Sequence, residues 1–170
     1  MRFLIMAVAW AVLLGAGAAQ AARRSPPGLE DAVRAIYAPF GNADGEESAP
    51  PDIWAPDVAA LIRRWTEVMP KDELDGLNDF DWLCECQDWD AAAFRLTLGK
   101  PKKRAEGRFA VPVQLAIGWG DKRSATLTMQ RVGDRWLVAE IVSKSFPRGL
   151  KVALAETIAE DIKLYQQTAP

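Results

Sequence analysis

The only two cysteines of this 170-residue chain, Cys84 and Cys86, are separated by one residue. In an oxidising compartment thiols tend to pair, but residues two apart reach the Cα separation of about 4.4–6.8 Å that a disulfide needs only where the backbone bends. Three interpretations stay open: a local, readily reduced disulfide, two thiols of which one or both are buried, or a redox-active or soft-metal pair. A zinc site would need further ligands that the sequence does not obviously supply.

Histidine is absent from the sequence. Its absence excludes Ser-His-Asp and Cys-His catalysis, histidine-ligated metal sites and a histidine pH switch. Neither standard glycine-rich phosphate-binding pattern occurs in the sequence. We therefore predict no catalytic residues, no metal site and no cofactor.

Two pairs of aspartates, Asp79 with Asp81 and Asp88 with Asp90, each have a spacing of two. On an extended segment both members of such a pair point to one side. Two neighbouring carboxylates can divide the roles of acid and base, as in glycoside hydrolysis, and an adjacent tryptophan can stack on a sugar. The alternative is a solvated acidic turn that caps backbone amides and offsets the basic loop Lys100–Arg104.

The stretch Asp79–Asp90 joins the helix-patterned half of the chain to the strand-patterned half. We predict that Asp81–Asp90 is a fixed, non-repetitive turn whose polar side chains form hydrogen bonds with backbone amides. Trp82 and Trp89 either anchor this turn to the core or line a pocket. In the interpretation that we favour they anchor it and leave Gln87 and Asp88 facing a cavity mouth. The candidate ligand-binding residues are Asp81, Trp82, Gln87, Asp88 and Trp89.

The N-terminus has the features of a secretory signal: Arg2, the apolar run Phe3–Leu14, and small residues ending in Ala19-Gln20-Ala21. The alternative, an uncleaved anchor, is disfavoured because the run is too short to cross a hydrocarbon layer of about 30 Å. We predict cleavage after Ala21, a periplasmic or secreted location and no membrane span after cleavage. Losing the charge of Arg2 takes the net charge from −2 to −3, and this acidity argues against nonspecific nucleic-acid binding.

Two amphipathic helices are predicted before the central stretch. The first begins after Ser25-Pro26-Pro27 and ends near Pro39, and the second runs from Pro56 to a stop at Pro70. The intervening Gly41–Pro56 is predicted as a loop. The apolar faces comprise Leu29, Val33, Ile36, Tyr37 and Phe40 in the first helix, and Val58, Leu61, Ile62, Trp65 and Met69 in the second.

After the central stretch the apolar period changes from helical to alternating. Strands are predicted over Phe94–Leu98, Phe109–Trp119, Ala125–Gln130 and Trp136–Val142, and an amphipathic helix over Leu150–Tyr165. We predict an α+β fold with two N-terminal helices, an antiparallel sheet of about four strands in a meander and a C-terminal helix, forming one domain over residues 22–170.

Two residues of the longest predicted strand carry specific expectations. Pro112 lacks a backbone donor, so this strand is predicted to lie at an edge or to be bulged there. Trp119 continues the apolar alternation and is predicted to be buried in the core, like Trp65 of the second helix.

Three short motifs carry a family resemblance: the Asp-rich turn ending Cys86-Gln87-Asp88-Trp89, the Phe109–Trp119 strand and the stretch Gly133-Asp134-Arg135-Trp136-Leu137-Val138. Together they resemble the exported bacterial family called domain of unknown function 3828, over about Leu29–Val142. The resemblance implies a nuclear transport factor 2-like, or cystatin-like, roll in which a curved sheet wraps a long helix and encloses a conical cavity. The second cysteine departs from the family pattern. No activity comes with the family, and fold alone does not give function.

These observations favour binding over turnover. We expect a non-catalytic periplasmic module that holds a small ligand or a protein partner. The first alternative is an inhibitor or immunity protein for a cell-wall enzyme. The second alternative is a hydrolase that uses paired carboxylates.

Overall fold

The computed structural model describes residues 25–42, 52–69 and 76–168. The predicted signal sequence, residues 1–21, and most of the predicted loop Gly41–Pro56 lie outside these ranges. Among the described residues, no helix combines the length and the apolarity needed to cross a membrane.

Three α-helices occur in the described ranges: α1 over Leu29–Tyr37, α2 over Pro56–Val68 and α3 over Leu150–Thr168. α1 continues into a short 3-10 turn, Ala38–Gly41, which has Pro39 in its first turn. Proline fixes φ near −65° and has no backbone proton to donate, so it suits the start of a helical segment. α2 also begins with a proline, as the sequence predicts.

Within the described residues the second half of the chain forms one antiparallel sheet of five strands. Their bounds are Arg95–Leu98 (β1), Lys102–Lys103 (β2), Phe109–Gly118 (β3), Asp121–Val132 (β4) and Arg135–Ser143 (β5). The order across the sheet is β1-β3-β4-β5, and β2 pairs with β3 beside β1. The predicted α+β class, with helices before the strands and one helix after them, is confirmed.

Pro112 lies in β3, which has neighbours on both sides, so the prediction that its strand is an edge is wrong. The register shifts of the sheet also lie elsewhere. The Pro112 carbonyl accepts a 2.8 Å hydrogen bond from the Gly99 amide, and the proton-less nitrogen of Pro112 faces the same side. On that side β1 ends at Leu98 and β2 begins at Lys102. The missing donor therefore faces a break between two short strands. Because β1 and β2 are separate strands, the sheet has five strands where about four were predicted.

The residues before α2 pair with β5, the last strand of the sheet. The Val138 amide donates to the Ile53 carbonyl and the Ala55 amide donates to the Val138 carbonyl, both at 2.8 Å. Trp54 thereby forms a parallel bridge with Val138. This end of the predicted loop is therefore an extended segment that fixes the start of α2 beside the sheet.

Alternate residues of β3 face the helices. Every second residue from Val111 to Ile117 is buried, whereas Gln114 is exposed, because successive strand residues point to opposite faces. The helix residues buried in the same apolar cluster are Leu29, Val33, Ile36 and Tyr37 of α1, Val58 and Trp65 of α2, and Leu150, Leu154 and Ile158 of α3. Leu61 and Ile62 of α2 pack against this cluster while partly exposed. The predicted inner faces of the helices thus meet one face of the sheet.

Trp119 departs from its predicted core position: its relative exposure is 73%. The β3 strand ends one residue earlier, after a register shift between Ala116 and Gly118. Gly118 pairs with Asp121, so Trp119 and Gly120 are the two central residues of a hairpin turn, with φ of 50° and 85°. Positive φ at both central residues is typical of the type I′ turn that suits the twist of a hairpin. The turn, and not the alternation of the strand, therefore decides where this side chain points.

Candidate functional site

The stretch Asp79–Asp90, hereafter the central loop, is held together by hydrogen bonds of Asp81. Its amide donates to the Cys86 carbonyl at 2.9 Å, and its carboxylate Oδ1 accepts from the amides of Leu83 and Cys84 at 2.8 and 3.0 Å. Short aspartate side chains make such local bonds in preference to regular structure. Asp81 is thus committed to holding the loop.

Burial raises the pKa of two groups at this loop, Asp81 and Tyr37. It raises the pKa of Asp81, and the hydrogen bonds from Cys84 and Leu83 offset this only in part. Tyr37 of α1 donates its hydroxyl to the Leu83 carbonyl at 3.2 Å. Burial, with the charges of Asp81 and Glu85, raises the pKa of Tyr37 well above its usual range. The tyrosine therefore stays a neutral donor that ties the loop to α1.

Asp90 closes the C-terminal end of the loop in a similar way. Its Oδ1 accepts from the amides of Ala92 and Ala93 at 3.0 and 3.2 Å. Its own amide donates to the Ile117 carbonyl at 2.8 Å. This last bond brings the loop against the end of β3, close to Gly118.

Trp82 anchors the loop to α2. Its Nε1 donates to the Leu77 carbonyl at 2.6 Å. Its ring lies 5.4 Å from the ring of Trp65 and 6.0 Å from the ring of Trp54, measured between centroids. Aromatic pairs at such distances add about 0.5–1.5 kcal/mol to the stabilisation from area burial.

Trp89 anchors the other end of the loop to the 3-10 turn after α1. Its Nε1 donates to the Phe40 carbonyl at 3.0 Å, and its ring makes an edge contact with the Phe40 ring at 5.1 Å. Phe40 in turn stacks on Phe94. Of the two roles that the sequence leaves open for Trp82 and Trp89, the structure gives both residues the anchoring role.

Cys84 and Cys86 are joined in a disulfide, with a Cα separation of 5.2 Å. The residue between them, Glu85, has a φ of 51°, a conformation that disfavours side chains with a Cβ by about 1–2 kcal/mol. The bend that a disulfide between such near neighbours requires is made at this residue.

The Glu85 carboxylate links the loop to the end of β5. Its Oε1 accepts from Ser143 Oγ at 2.6 Å and from the Ser145 amide at 2.7 Å. Burial acts to raise the pKa of Glu85, but the hydrogen bonds from Ser143 and Ser145 and the charge of Arg123 outweigh it, so the pKa is lowered. Glu85 is therefore held as a carboxylate.

A cleft of about 390 Å³ opens between this loop and the β3–β4 turn. Its volume is within the range of about 300–1,000 Å³ typical of ligand sites. The lining residues are Asp79, Phe80, Glu85, Cys86, Gln87, Asp88, Ile117, Trp119, Asp121 and Arg123.

Carboxylates outnumber cations in the cleft. Asp79, Glu85, Asp88 and Asp121 line it together with one cation, Arg123. Asp79 and Asp88 are exposed and have no hydrogen bond or ion pair within the described part of the chain. A positive group entering the cleft would therefore meet uncompensated negative charge.

Each nitrogen of the Arg123 guanidinium has one acceptor within the protein. Its Nε donates to the Glu85 carbonyl at 3.3 Å and one terminal nitrogen donates to the Lys122 carbonyl at 3.2 Å. The other terminal nitrogen lies 3.5 Å from Asp121 Oδ2. Arg123 thus braces the two walls of the cleft with three of its five N–H donors.

The structure divides the predicted site residues into two groups. Gln87 and Asp88 line the cleft, whereas Asp81, Trp82 and Trp89 do not line it and instead hold the loop in place. The contacts of Asp81, Trp82 and Trp89 are those of positioning residues, because their carboxylate and indole groups are satisfied by backbone groups. Their part in ligand binding stays a prediction.

Trp119 and Arg123 also line the cleft, although neither was predicted from the sequence to be a site residue. The available signal was the run Gly118-Trp119-Gly120-Asp121, in which a tryptophan between two glycines indicates a turn. Arg123 had no signal, because only the sheet register brings it opposite the central loop.

Among the described residues there is no cluster of three or more cysteine or acidic side chains arranged to hold a metal ion. No family model, no curated protein and no solved structure matches the chain.

Proposed function

We propose that the protein is a non-catalytic binding module whose site is the cleft between the central loop and the β3–β4 turn. One observation carries the proposal: Trp119, at 73% exposure, lines this cleft from the hairpin turn. Exposed tryptophans that line concave sites are frequent energetic centres of recognition, since the ring buries a large apolar area on contact.

The local backbone supports a binding role for Trp119. Type I′ turns prefer Asn, Asp or Gly at their central positions, and Trp119 has a φ of 50° in the first of them. A bulky residue in this conformation opposes local propensity, and such conflicts cluster at functional sites. The exposed ring adds little to the core, so stability does not account for it.

The charge of the cleft indicates the class of ligand. Asp79 and Asp88 are exposed carboxylates without a partner in the described part of the chain, and Trp119 adds an aromatic face that attracts cations. We infer a ligand that carries an ammonium or guanidinium group. Either a small organic amine or a Lys or Arg side chain of a protein partner supplies this chemistry. The predicted export signal would place the binding event in the periplasm.

The test is calorimetric titration of the protein with three probes: a blocked tetralysine peptide, the same peptide with every lysine acetylated, and spermidine. We expect binding of a charged probe and no binding of the acetylated one. This binding should weaken when the salt concentration of the assay is raised from about 20 to about 500 mM, because dissolved ions screen exposed charges beyond about 3–10 Å. If spermidine binds and the tetralysine peptide does not, the ligand is a small amine. If the peptide binds and spermidine does not, the ligand is a protein partner.

Two variants connect the binding to the cleft. Trp119→Asn removes the ring but suits a positive φ, since asparagine tolerates this conformation. Asp88→Asn removes one cleft carboxylate. Asp134→Asn is the matched control, because Asp134 is an exposed acid in the β4–β5 turn, at the opposite end of β4.

We expect at least tenfold weaker binding from each of the two cleft variants and no change from the control. Equal losses from Asp88→Asn and Asp134→Asn would show that the probe binds to net charge alone. Binding of the acetylated peptide that is insensitive to salt would refute the cationic class of ligand.

A further inference from the structure

The Cys84–Cys86 disulfide lies in the wall of the proposed site. Cys86 lines the cleft, and so do the neighbouring Glu85, Gln87 and Asp88. We propose that the redox state of this disulfide controls the shape of the cleft, so that reduction by a dithiol weakens ligand binding. The effect on binding rests on the proposed function, whereas the effect on shape does not.

The first step in the effect of reduction is conformational. The disulfide spans a single residue, so it restricts the backbone of Glu85 directly, and that backbone has the disfavoured φ of 51°. When the disulfide opens, this restriction disappears and Glu85 is free to return to a negative φ. Gln87 and Asp88, which follow Cys86, are exposed and form no hydrogen bond with a described residue. They would therefore move when the backbone of Glu85 moves.

The second step concerns the contact between the loop and the sheet. Glu85 accepts hydrogen bonds from Ser143 Oγ and the Ser145 amide, and its carbonyl accepts from Arg123. A change of φ at Glu85 redirects both its side chain and its carbonyl. The bond from Arg123 joins the two walls of the cleft, and the bonds from Ser143 and Ser145 hold the loop wall to the end of β5, so their loss frees that wall.

The third step is chemical access. Cys86 is 6% exposed and lines the cleft, whereas Cys84 has 0% exposure and does not line it. A thiolate of a dithiol entering the cleft therefore meets the Cys86 sulfur, forms a mixed disulfide there and releases Cys84 as a thiolate. The second thiol then attacks the sulfur of the reductant in the mixed disulfide and releases Cys86. The two electrons and two protons lost by the dithiol reappear as two protein thiols.

Access through the cleft implies reciprocity. A ligand in the cleft covers Cys86, so the bound protein should be reduced more slowly than the free protein. By linkage, a ligand that prefers the oxidised form also stabilises the disulfide at equilibrium.

The test compares the oxidised protein, the protein reduced with dithiothreitol and the variant Cys84→Ser/Cys86→Ser. Amide hydrogen exchange of the Ser145 amide reports the Glu85 contact without any ligand, and titration with the tetralysine peptide reports binding. We expect reduction to speed exchange at Ser145 at least tenfold and to weaken peptide binding at least tenfold. The amides of the β4–β5 turn at Gly133 should not change. If the double variant does not fold, the reduced wild-type protein supplies both measurements.

The two readouts separate the two hypotheses. Unchanged Ser145 exchange on reduction overturns the redox inference, whatever the peptide does. Faster Ser145 exchange without peptide binding in either state refutes the proposed function for this probe and retains redox control of the cleft. Faster exchange with equal peptide binding in both states shows that the loop moves without affecting the site, and overturns the effect on binding.

Discussion

The indole rings of Trp65 and Trp82 lie 5.4 Å apart between centroids, so that the second helix and the central loop share one aromatic contact. Trp65 is 8% exposed. Trp82 is fixed further by its hydrogen bond to the Leu77 carbonyl. The loop that forms one wall of the cleft is therefore coupled to the core through a tryptophan pair.

Replacing Trp65 by alanine should strongly destabilise the fold. Removal of a buried tryptophan ring leaves a cavity and costs about 3–5 kcal/mol. Urea unfolding, followed by far-ultraviolet circular dichroism, measures the loss. The same change at the exposed Trp119 is the matched control and should shift the free energy of unfolding by about 0.5 kcal/mol or less. Comparable losses at the two positions would contradict the packing described for α2.

Gly118 should not tolerate a side chain. A Cβ at this position would lie 2.6 Å from Asp90 Cβ and 3.3 Å from the Asp90 amide nitrogen, and φ is 105°. Backbone strain and overpacking together predict a loss of about 3 kcal/mol for Gly118→Ala. Gly120→Ala is the control, since Gly120 has a φ of 85° with open space around it, and only strain of about 1–2 kcal/mol is expected. Thermal unfolding of both variants checks the order.

Asp81 gives the protein a pH dependence with a defined sign. Its pKa is raised above the usual 3.8 by burial, so the folded state binds a proton more tightly than the unfolded state. This contribution to stability is present at low pH and is lost as pH rises through the folded pKa. Asp81→Asn keeps an oxygen acceptor for the Leu83 and Cys84 amides but does not ionise.

The stability of Asp81→Asn relative to the wild type should therefore increase as pH rises from about 3 to about 7, the span of the ordinary carboxyl titration. Urea unfolding across this range measures the difference. Asp134→Asn serves as the control for the loss of one exposed charge. A difference between Asp81→Asn and wild type that stays constant with pH, or falls, would contradict the assigned burial effect.

The export signal remains a prediction from the sequence. N-terminal sequencing of the protein recovered outside the cytoplasm should find Ala22 as the first residue, because Ala19-Gln20-Ala21 matches the small-x-small rule. Recovery of the intact chain from Met1 in the soluble fraction would exclude cleavage at this site.

Much of the fold was predictable because its signals are local. Val33, Ile36 and Tyr37 lie at helical spacing and are buried. The alternate residues from Val111 to Ile117 lie at strand spacing and are also buried. Pro56 at a helix start and Gly133 in a tight turn act within a few residues of themselves. Two details were not predicted. The interior position of Pro112 depends on which strands lie beside β3, and the outward position of Trp119 depends on the turn that ends the apolar alternation of β3.

The sequence by itself determined the absence of histidine chemistry, the α+β order of elements and a central acidic loop in which Trp82 and Trp89 have an apolar body to bury. The sequence also predicted that Gln87 and Asp88 face a cavity mouth, but only the tertiary structure decided that Asp81 does not line the cleft and that Trp119 and Arg123 belong to the opposite wall. The physical reason is that a cleft is made by groups about 30 or more residues apart in this chain. Their meeting depends on sheet register and loop closure, which no local period encodes.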